Sequence, residues 1–185
     1  RPDRADIVYS NLIRSVYKHT PIILGGIEAS LRRLAHYDYW SDSFKRSLLL
    51  DSGADLISYG MGERSIVEIA DALASGIHIR DLTFVDGTVY KISRKEDIYD
   101  AVFLPDYESM GKEKRLYAES FALQQKHADP IRGKRLAEAY SDHTFIVQNP
   151  PARPLTQEEM DEVYGLPYQR AVHPSCLEKG EVPAF

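Results

Sequence analysis

Twice in its first eighty residues the chain runs from a short apolar strand through a glycine turn into a helix. No other feature restricts the fold as much. The first copy, Ile22-Ile23-Leu24, breaks at Gly25-Gly26 and enters a helical stretch carrying Glu28, Arg32 and Arg33. The second, Ala54 to Tyr59, breaks at Gly60-Met61-Gly62-Glu63. The helix after it has Ile66, Ile69, Ala70 and Leu73 as its buried stripe, a capping box of Ser65 with Glu68, and a stop at Gly76. Strand, turn and helix in immediate repetition predict a right-handed βαβ unit and a parallel sheet. The expected class is therefore α/β, a parallel sheet flanked by helices.

Around this repeat the remaining elements fall into place by periodicity. Val8, Tyr9, Leu12, Ile13 and Val16 have the spacing of one buried helical stripe within residues 3–19. Ser41 or Asp42 is positioned to cap a helix running through Phe44 and Leu48, stopped at Gly53. Thr83-Phe84-Val85 and Thr88-Val89-Tyr90 flank Asp86-Gly87, which predicts an antiparallel hairpin at the sheet edge. Residues 112–127 read as a charged surface helix and 144–147 as a last strand. Pro150 to Pro154 reads as a stiff, extended linker. Thr156 and Glu159 then form a capping box, Leu155 staples onto Met160, and Gly165 ends that helix. The expected division is an α/β domain over 1–149 and a linker with a short helix over 150–185.

Size and charge exclude several function classes. The 185 residues can bury a real core, and 43 % hydrophobic with 28 % charged residues is a globular balance. A net charge of −5 lacks the basic surplus of a dedicated nucleic-acid binder. No apolar run is long enough to span a membrane and no signal peptide is visible, so the expected location is the cytoplasm. One cysteine, Cys176, permits neither an internal disulfide nor a metal site of several cysteines. The start at Arg1-Pro2 and the apolar end Val182-Pro183-Ala184-Phe185 suggest a piece of a longer protein, truncated on its amino-terminal side.

Three groups carry chemistry. The glycine turns, Gly25-Gly26 with Glu28 and Gly60 and Gly62 with Glu63, sit where α/β sheets collect ligands. They contain neither a G-x-G-x-x-G fingerprint nor a P-loop lysine, and the acidic residues occupy the position of an anion. Glu28 and Glu63 thus read as acceptors for hydroxyl or amine groups, or as caps of the turns. The second group is His36-Tyr37-Asp38-Tyr39-Trp40, with Arg32 just before it. Here a base or metal ligand competes with a packing histidine, and Tyr39 and Trp40 can stack on a flat ring. The third is Cys176 with His173, a pair too small for a zinc site and best read as incidental.

The runs RPDRADIVYSNLIR, PIILGGIEASLRRLAHYDYWSD, DSGADLISYGMGERSIVEIADAL and VQNPPARPLTQEEMDEVYGLPYQRAVHPS go beyond periodicity. Together they resemble the YgiQ-like family of radical S-adenosylmethionine (SAM) proteins, over nearly the whole chain. The resemblance implies a region preceding a radical SAM barrel, whose Cys-x3-Cys-x2-Cys motif holds a 4Fe-4S cluster. It implies SAM and that cluster as cofactors of the parent protein, with no catalytic residue, metal ligand or cofactor in this stretch itself. It also implies a partial flavodoxin-like, cobalamin-binding-like sheet, with Gly25-Gly26 beside a cofactor. The lower-ligand motif Asp-x-His-x-x-Gly does not occur in this chain, and cobalamin stands only as an alternative.

The resulting expectation is an accessory domain of a radical SAM, 4Fe-4S-dependent enzyme of unknown substrate, inactive alone. Gly25, Gly26, Glu28, Arg32, His36, Asp38, Tyr39, Trp40, Gly60, Gly62 and Glu63 would face substrate or cofactor on one sheet edge. The expected partner is the barrel of the same parent chain, and an unpaired edge at 22–24 would draw a second copy of the isolated piece. The competing reading is a non-catalytic module that binds a cofactor, nucleotide or protein, or that buttresses a neighbouring domain.

Overall fold

The two glycine-ended strands lie side by side in parallel, Ile23 opposite Leu56 and Leu24 opposite Ile57. The computed structural model describes residues 3–169, 171–177 and 180. In chain order its elements are α1 (Ala5–Val16), β1 (Ile23–Leu24), α2 (Gly26–Leu31), β2 (His36–Asp38), β3 (Ser43–Lys45), α3 (Leu48–Ser52), β4 (Leu56–Ser58) and α4 (Glu63–Ala74). Then come β5 (Thr88–Ile92), β6 (Ala101–Phe103), α5 (Tyr107–Lys112), α6 (Lys114–Lys126), β7 (Arg135–Ser141), β8 (Thr144–Gln148), α7 (Gln157–Gly165) and α8 (Pro174–Leu177). Residues 1–154 form one compact unit and 155–185 a second. Arg1, Pro2 and Val182–Phe185, on which the reading of truncated ends rests, lie outside the described residues.

The class is α/β, with helices on both faces of a six-stranded sheet of order β1-β4-β5-β8-β7-β6. β1–β4 and β6–β7 are parallel, whereas β4–β5, β5–β8 and β8–β7 are antiparallel. Alternation along the strands sorts side chains between two cores. Ile57, Val89, Leu136 and Ile146 face Ala29, Leu34, Leu48 and Leu49. Leu56, Tyr90, Ala137 and Val147 face Ile69, Ala72, Leu82 and Val85. Each such fully buried aliphatic side chain contributes roughly 1.5–3 kcal/mol from burial.

Several local readings resolve differently, each because a tertiary contact outweighs a local one. Gly62 is the N-cap of α4 and Glu63 begins it, so Ser65 and Glu68 do not form its capping box. Ser65 is buried instead and shares a hydrogen bond with Ser58 across 2.9 Å. Residues 36–45 form the separate β2–β3 hairpin, so neither Ser41 nor Asp42 starts a helix; Ser47 caps α3 by accepting from the Leu49 amide. Thr83–Val85 is not a strand, because Leu82 and Val85 are committed to the second core. Its supposed partner β5 lies in the middle of the sheet, between β4 and β8. Most consequentially, the stripe Tyr9, Leu12, Ile13 and Val16 of α1 is exposed. Other expectations hold: the Thr156–Glu159 capping box forms with both hydrogen bonds, and Gly53 ends α3 with a left-handed backbone.

Asp86-Gly87 still makes a turn, and its glycine is required. Gly87 has φ +72°, and a Cβ there would stand 3.1 Å from Ala152 Cβ. Its amide donates to the Pro150 carbonyl at 2.7 Å and its carbonyl accepts from the Tyr59 amide at 2.8 Å. Gly87→Ala is expected to lower stability by about 1–2 kcal/mol from the left-handed backbone, before any crowding. Urea unfolding measures this loss; an unchanged midpoint would contradict the assigned backbone.

Candidate functional site

The segment from Ser30 to Ser47 is held to the sheet by a buried polar network. Arg33 turns inward, donating from Nε to Gln148 Oε1 at 2.7 Å and from a terminal nitrogen to the Ser30 carbonyl at 2.5 Å. Its guanidinium stacks 4.9 Å from the centre of the Tyr59 ring. Burial pulls the Arg33 pKa down, and burial likewise raises that of Tyr59. The Ser47 hydroxyl donates to the Arg33 carbonyl at 2.6 Å, and Glu138 accepts from the Ala35 amide at 2.9 Å. Two adjacent arginines therefore do opposite things, Arg33 anchoring the segment and Arg32 serving the surface.

Past this anchor, β2 and β3 project as an arm. Phe44 stacks on Tyr107 and meets Tyr117 edge-on, both at 5.2 Å between ring centres, and Tyr107 stacks on Tyr140. Such pairs add about 0.5–1.5 kcal/mol each beyond burial. This ladder seats the arm on α5 and α6.

At the base of the arm Asp38 is buried and gathers cations and hydroxyls. Arg4 donates to Oδ2 at 2.7 Å, Ser41 donates to the same oxygen at 2.5 Å, and Arg32 approaches Oδ1 at 3.7 Å. Arg32 also reaches Glu28 at 3.2 Å, one helical turn away. The Ser41 hydrogen bond first, then Arg4 and Arg32, hold the Asp38 carboxyl below the usual range against an opposing desolvation. Beside this cluster lies an open groove of about 1070 Å³. Glu28, Arg32, Asp38, Arg4 and Ser41 supply its polar wall, and Ile27, Leu31 and Trp40 its apolar one. Trp40 is 88 % exposed.

The glycine turns form a second, smaller depression of about 400 Å³ at the carboxyl ends of β1 and β4. Gly25, Gly26, Gly60, Gly62 and Glu63 line it with Ser58 and Ile66. The turns are tied together by the Gly60 amide, which donates to Ser30 Oγ at 3.1 Å. Glu63 keeps its Oε2 out of solvent there without a hydrogen-bond partner.

Nine of the eleven expected site residues thus divide between two places. Glu28, Arg32, Asp38 and Trp40 line the groove; Gly25, Gly26, Gly60, Gly62 and Glu63 line the turn depression. His36 and Tyr39 line neither. Nδ1 of His36 lies 3.1 Å from the Leu34 carbonyl, which can only accept, so Nδ1 carries the proton. Burial chiefly, with Arg32 contributing, lowers the His36 pKa, against that hydrogen bond and the attraction of Asp38 and Asp51. His36 is therefore a partly packed imidazole whose neutral form is favoured by burial. Tyr39 is exposed and stands edge-on to Trp40 at 5.7 Å.

Sequence reasoning missed Arg4, Ser41, Ile27 and Leu31. Only the Ser41–Asp38 spacing offered a local signal, since Arg4 reaches Asp38 across 34 residues. The groove has the makings of a binding wall, with arginine cations, carboxylates and an indole face for a polar, flat ligand. A 4Fe-4S cluster takes cysteine thiolates. Cys176 is the sole cysteine, and among the described residues no three His, Cys, Asp or Glu side chains gather as a metal site. These residues do not fit the cluster. Among the described residues, too, no helix is long and apolar enough to cross a membrane.

Comparison with known proteins matches the whole chain, residues 1–185, to the family described as Radical SAM N-terminal. A UPF0313 protein of Clostridium botulinum is 49 % identical over 185 residues, covering all of this chain and 28 % of the relative. A UPF0313 protein of Methanocella arvoryzae is 50 % identical over all of this chain and 30 % of its own length. One of Clostridium perfringens is 46 % identical, again over 28 % of the relative. The chain thus spans under a third of the length of these curated relatives. No solved structure matches it. The chain belongs to the Radical SAM N-terminal family, the region shared with the UPF0313, YgiQ-like radical SAM proteins.

Proposed function

We propose that this chain is the accessory domain of a radical SAM enzyme, presenting the groove and the glycine edge to a substrate or cofactor handled elsewhere in the parent protein. Residues 1–149 would form that domain and 150–185 would lead toward the barrel. One observation carries the reading: the glycine turns line a depression at the carboxyl ends of the two parallel strands, where α/β sheets bind ligands. In the family the cluster and SAM supply the radical chemistry. The residues of this chain bind and orient. Arg32, held by the buried Asp38, offers charge-assisted hydrogen bonds, Trp40 offers a flat apolar face, and the Glu63 oxygen accepts from a hydroxyl or amine.

Trp40 gives a clean test, because so exposed a side chain can be removed with little loss of packing. In the parent protein, Trp40→Ala and Glu28→Gln are expected to lower 5′-deoxyadenosine formation from SAM at least tenfold. The thermal midpoint should stay within about 2 °C, a shift of at most about 1 kcal/mol. Undiminished formation in both variants would overturn the groove assignment and favour a module that only buttresses its neighbour.

A further inference from the structure

Helix α1 sits on the domain the wrong way round. Amphipathic helices bury the apolar stripe and expose the polar face. Here the buried residues are Ala5 and Ser10, and both ends are pinned by arginines. Arg4 binds Asp38 at the amino end. Arg14 binds Asp55 at 2.7 Å and the carbonyls of Lys18 and Thr20 at the carboxyl end. The outward stripe is Tyr9, Leu12, Ile13, Val16 and Tyr17, the i, i+3, i+4, i+7, i+8 pattern of a core-facing helix. Every one of the five is exposed, Val16 by 71 %.

Single apolar side chains on a surface need no explanation, but a continuous helical stripe of five marks a contact face. The inner face is already committed, with Ile7 packed against the first core and both ends held by ion pairs, so rolling the helix to bury the stripe would lose Ile7 and break Arg4–Asp38 and Arg14–Asp55 together. The first turn of α1 also forms part of the groove, through Arg4 and Ala5, beside the exposed Ile27, Leu31 and Trp40.

We infer that the outward stripe of α1 is the docking face for another segment of the same parent chain, one lying outside these 185 residues. Two facts select that occupant. Most of each relative's length lies outside the matched stretch, so ample chain is available. The stripe also lies on the helix whose first turn lines the groove that, on the reading above, faces the rest of the parent protein, so one covering segment can reach both. The inference rests on that reading for the choice of occupant, and its test is independent of turnover.

The test is cysteine accessibility in the parent protein, resolved by site with mass spectrometry. Leu12→Cys and Val16→Cys are exposed substitutions that leave the inner face intact. Glu108→Cys, on the exposed flank of α5, is the reference. Maleimide labelling at positions 12 and 16 is expected to be at least tenfold slower than at 108, after normalising to the unfolded protein, while light scattering reports a monomer. Equal rates would overturn the inference. Protection that vanishes on dilution as a doubled mass halves would also overturn it, assigning the stripe to a second copy. Normal SAM cleavage in the cysteine variants leaves the inference standing, so its failure and that of the groove reading are distinguishable.

Discussion

Replacing Asn149 with alanine is expected to unfold the protein about 10 °C early. Asn149 is 1 % exposed and closes the seam between β8, β5 and the loop before β5. Its side-chain amide shares two protons among the Thr83 carbonyl at 3.1 Å, the Val85 carbonyl at 2.9 Å and Thr88 Oγ1 at 3.0 Å. Its Oδ1 accepts from Arg135 Nε at 2.9 Å, and its own carbonyl accepts from the buried Tyr59 hydroxyl at 2.6 Å. Alanine removes these four side-chain hydrogen bonds at once, although Val85 still accepts from the Thr88 hydroxyl and Arg135 still reaches the Tyr99 and Thr83 carbonyls. Each buried hydrogen bond lost costs about 0.5–1.5 kcal/mol, and together the loss is on the order of 4 kcal/mol. At about 2–4 °C per kcal/mol for a chain of this size, calorimetry should show the stated shift. Asn149→Asp is expected to fall as far, because a carboxylate presents oxygen where donors are needed. A loss under about 1 kcal/mol in both variants, within the range of one replaceable hydrogen bond, would refute the network.

Glu138 is expected to make the protein less stable as pH rises from 4 to 8. Its side chain is fully buried. Oε1 accepts from the Ala35 amide and the Tyr140 hydroxyl, while Oε2 has no hydrogen-bond partner. Burial raises its pKa to about 7, against the lowering effect of those two hydrogen bonds. Tyr140 is itself raised well above its ordinary value, chiefly by burial, and stays neutral throughout. Below the unfolded pKa, about 4.3, both states carry the proton and folding has no ionisation cost. Between 4.3 and 7 the folded state binds more protons than the unfolded one, so stability falls with rising pH, and above 7 the loss is complete. The interval of almost three units corresponds to a loss on the order of 3 kcal/mol. Glu138→Gln keeps an acceptor for Ala35 and Tyr140 and removes the titration. Urea unfolding of both proteins from pH 4 to 8 isolates the effect, because every other group, Asp38 included, cancels in the difference. Parallel stability profiles for the two proteins would refute it.

These two residues also show where reading the chain reaches its limit. Asn149 stands in the phrase VQNPP, which identifies the family, yet nothing local says that its amide holds Thr83 and Val85 more than sixty residues earlier. Glu138 sits in a strand whose alternation is otherwise apolar inward, and a charged residue at that position reads as solvent-facing. Only Ala35 and Tyr140, the latter held by the Ser47 amide, make it a buried acceptor. The same holds at the groove. Glu28, Arg32 and Asp38 could be singled out from their spacing, while Arg4 could not, because its partner lies across the fold.

Local physics carried the parts of the protein that depend on a few consecutive residues. The strand-turn-helix repeats predicted the parallel pairing of β1 with β4, because apolar runs ending in glycine leave few other conformations. The Thr156–Glu159 box and the Gly53 stop followed likewise from orphan amides and left-handed backbone. Tertiary structure decided what depends on competition between distant partners. Ser65 left a capping role for Ser58, residues 36–45 became an arm seated on aromatic rings of α5 and α6, and Thr83–Val85 gave up its hairpin. The orientation of α1 is the clearest case. Its sequence dictates an amphipathic helix, but two ion pairs, a buried serine and the packing of Ile7 on the core, formed only when the chain is folded, set which face points inward.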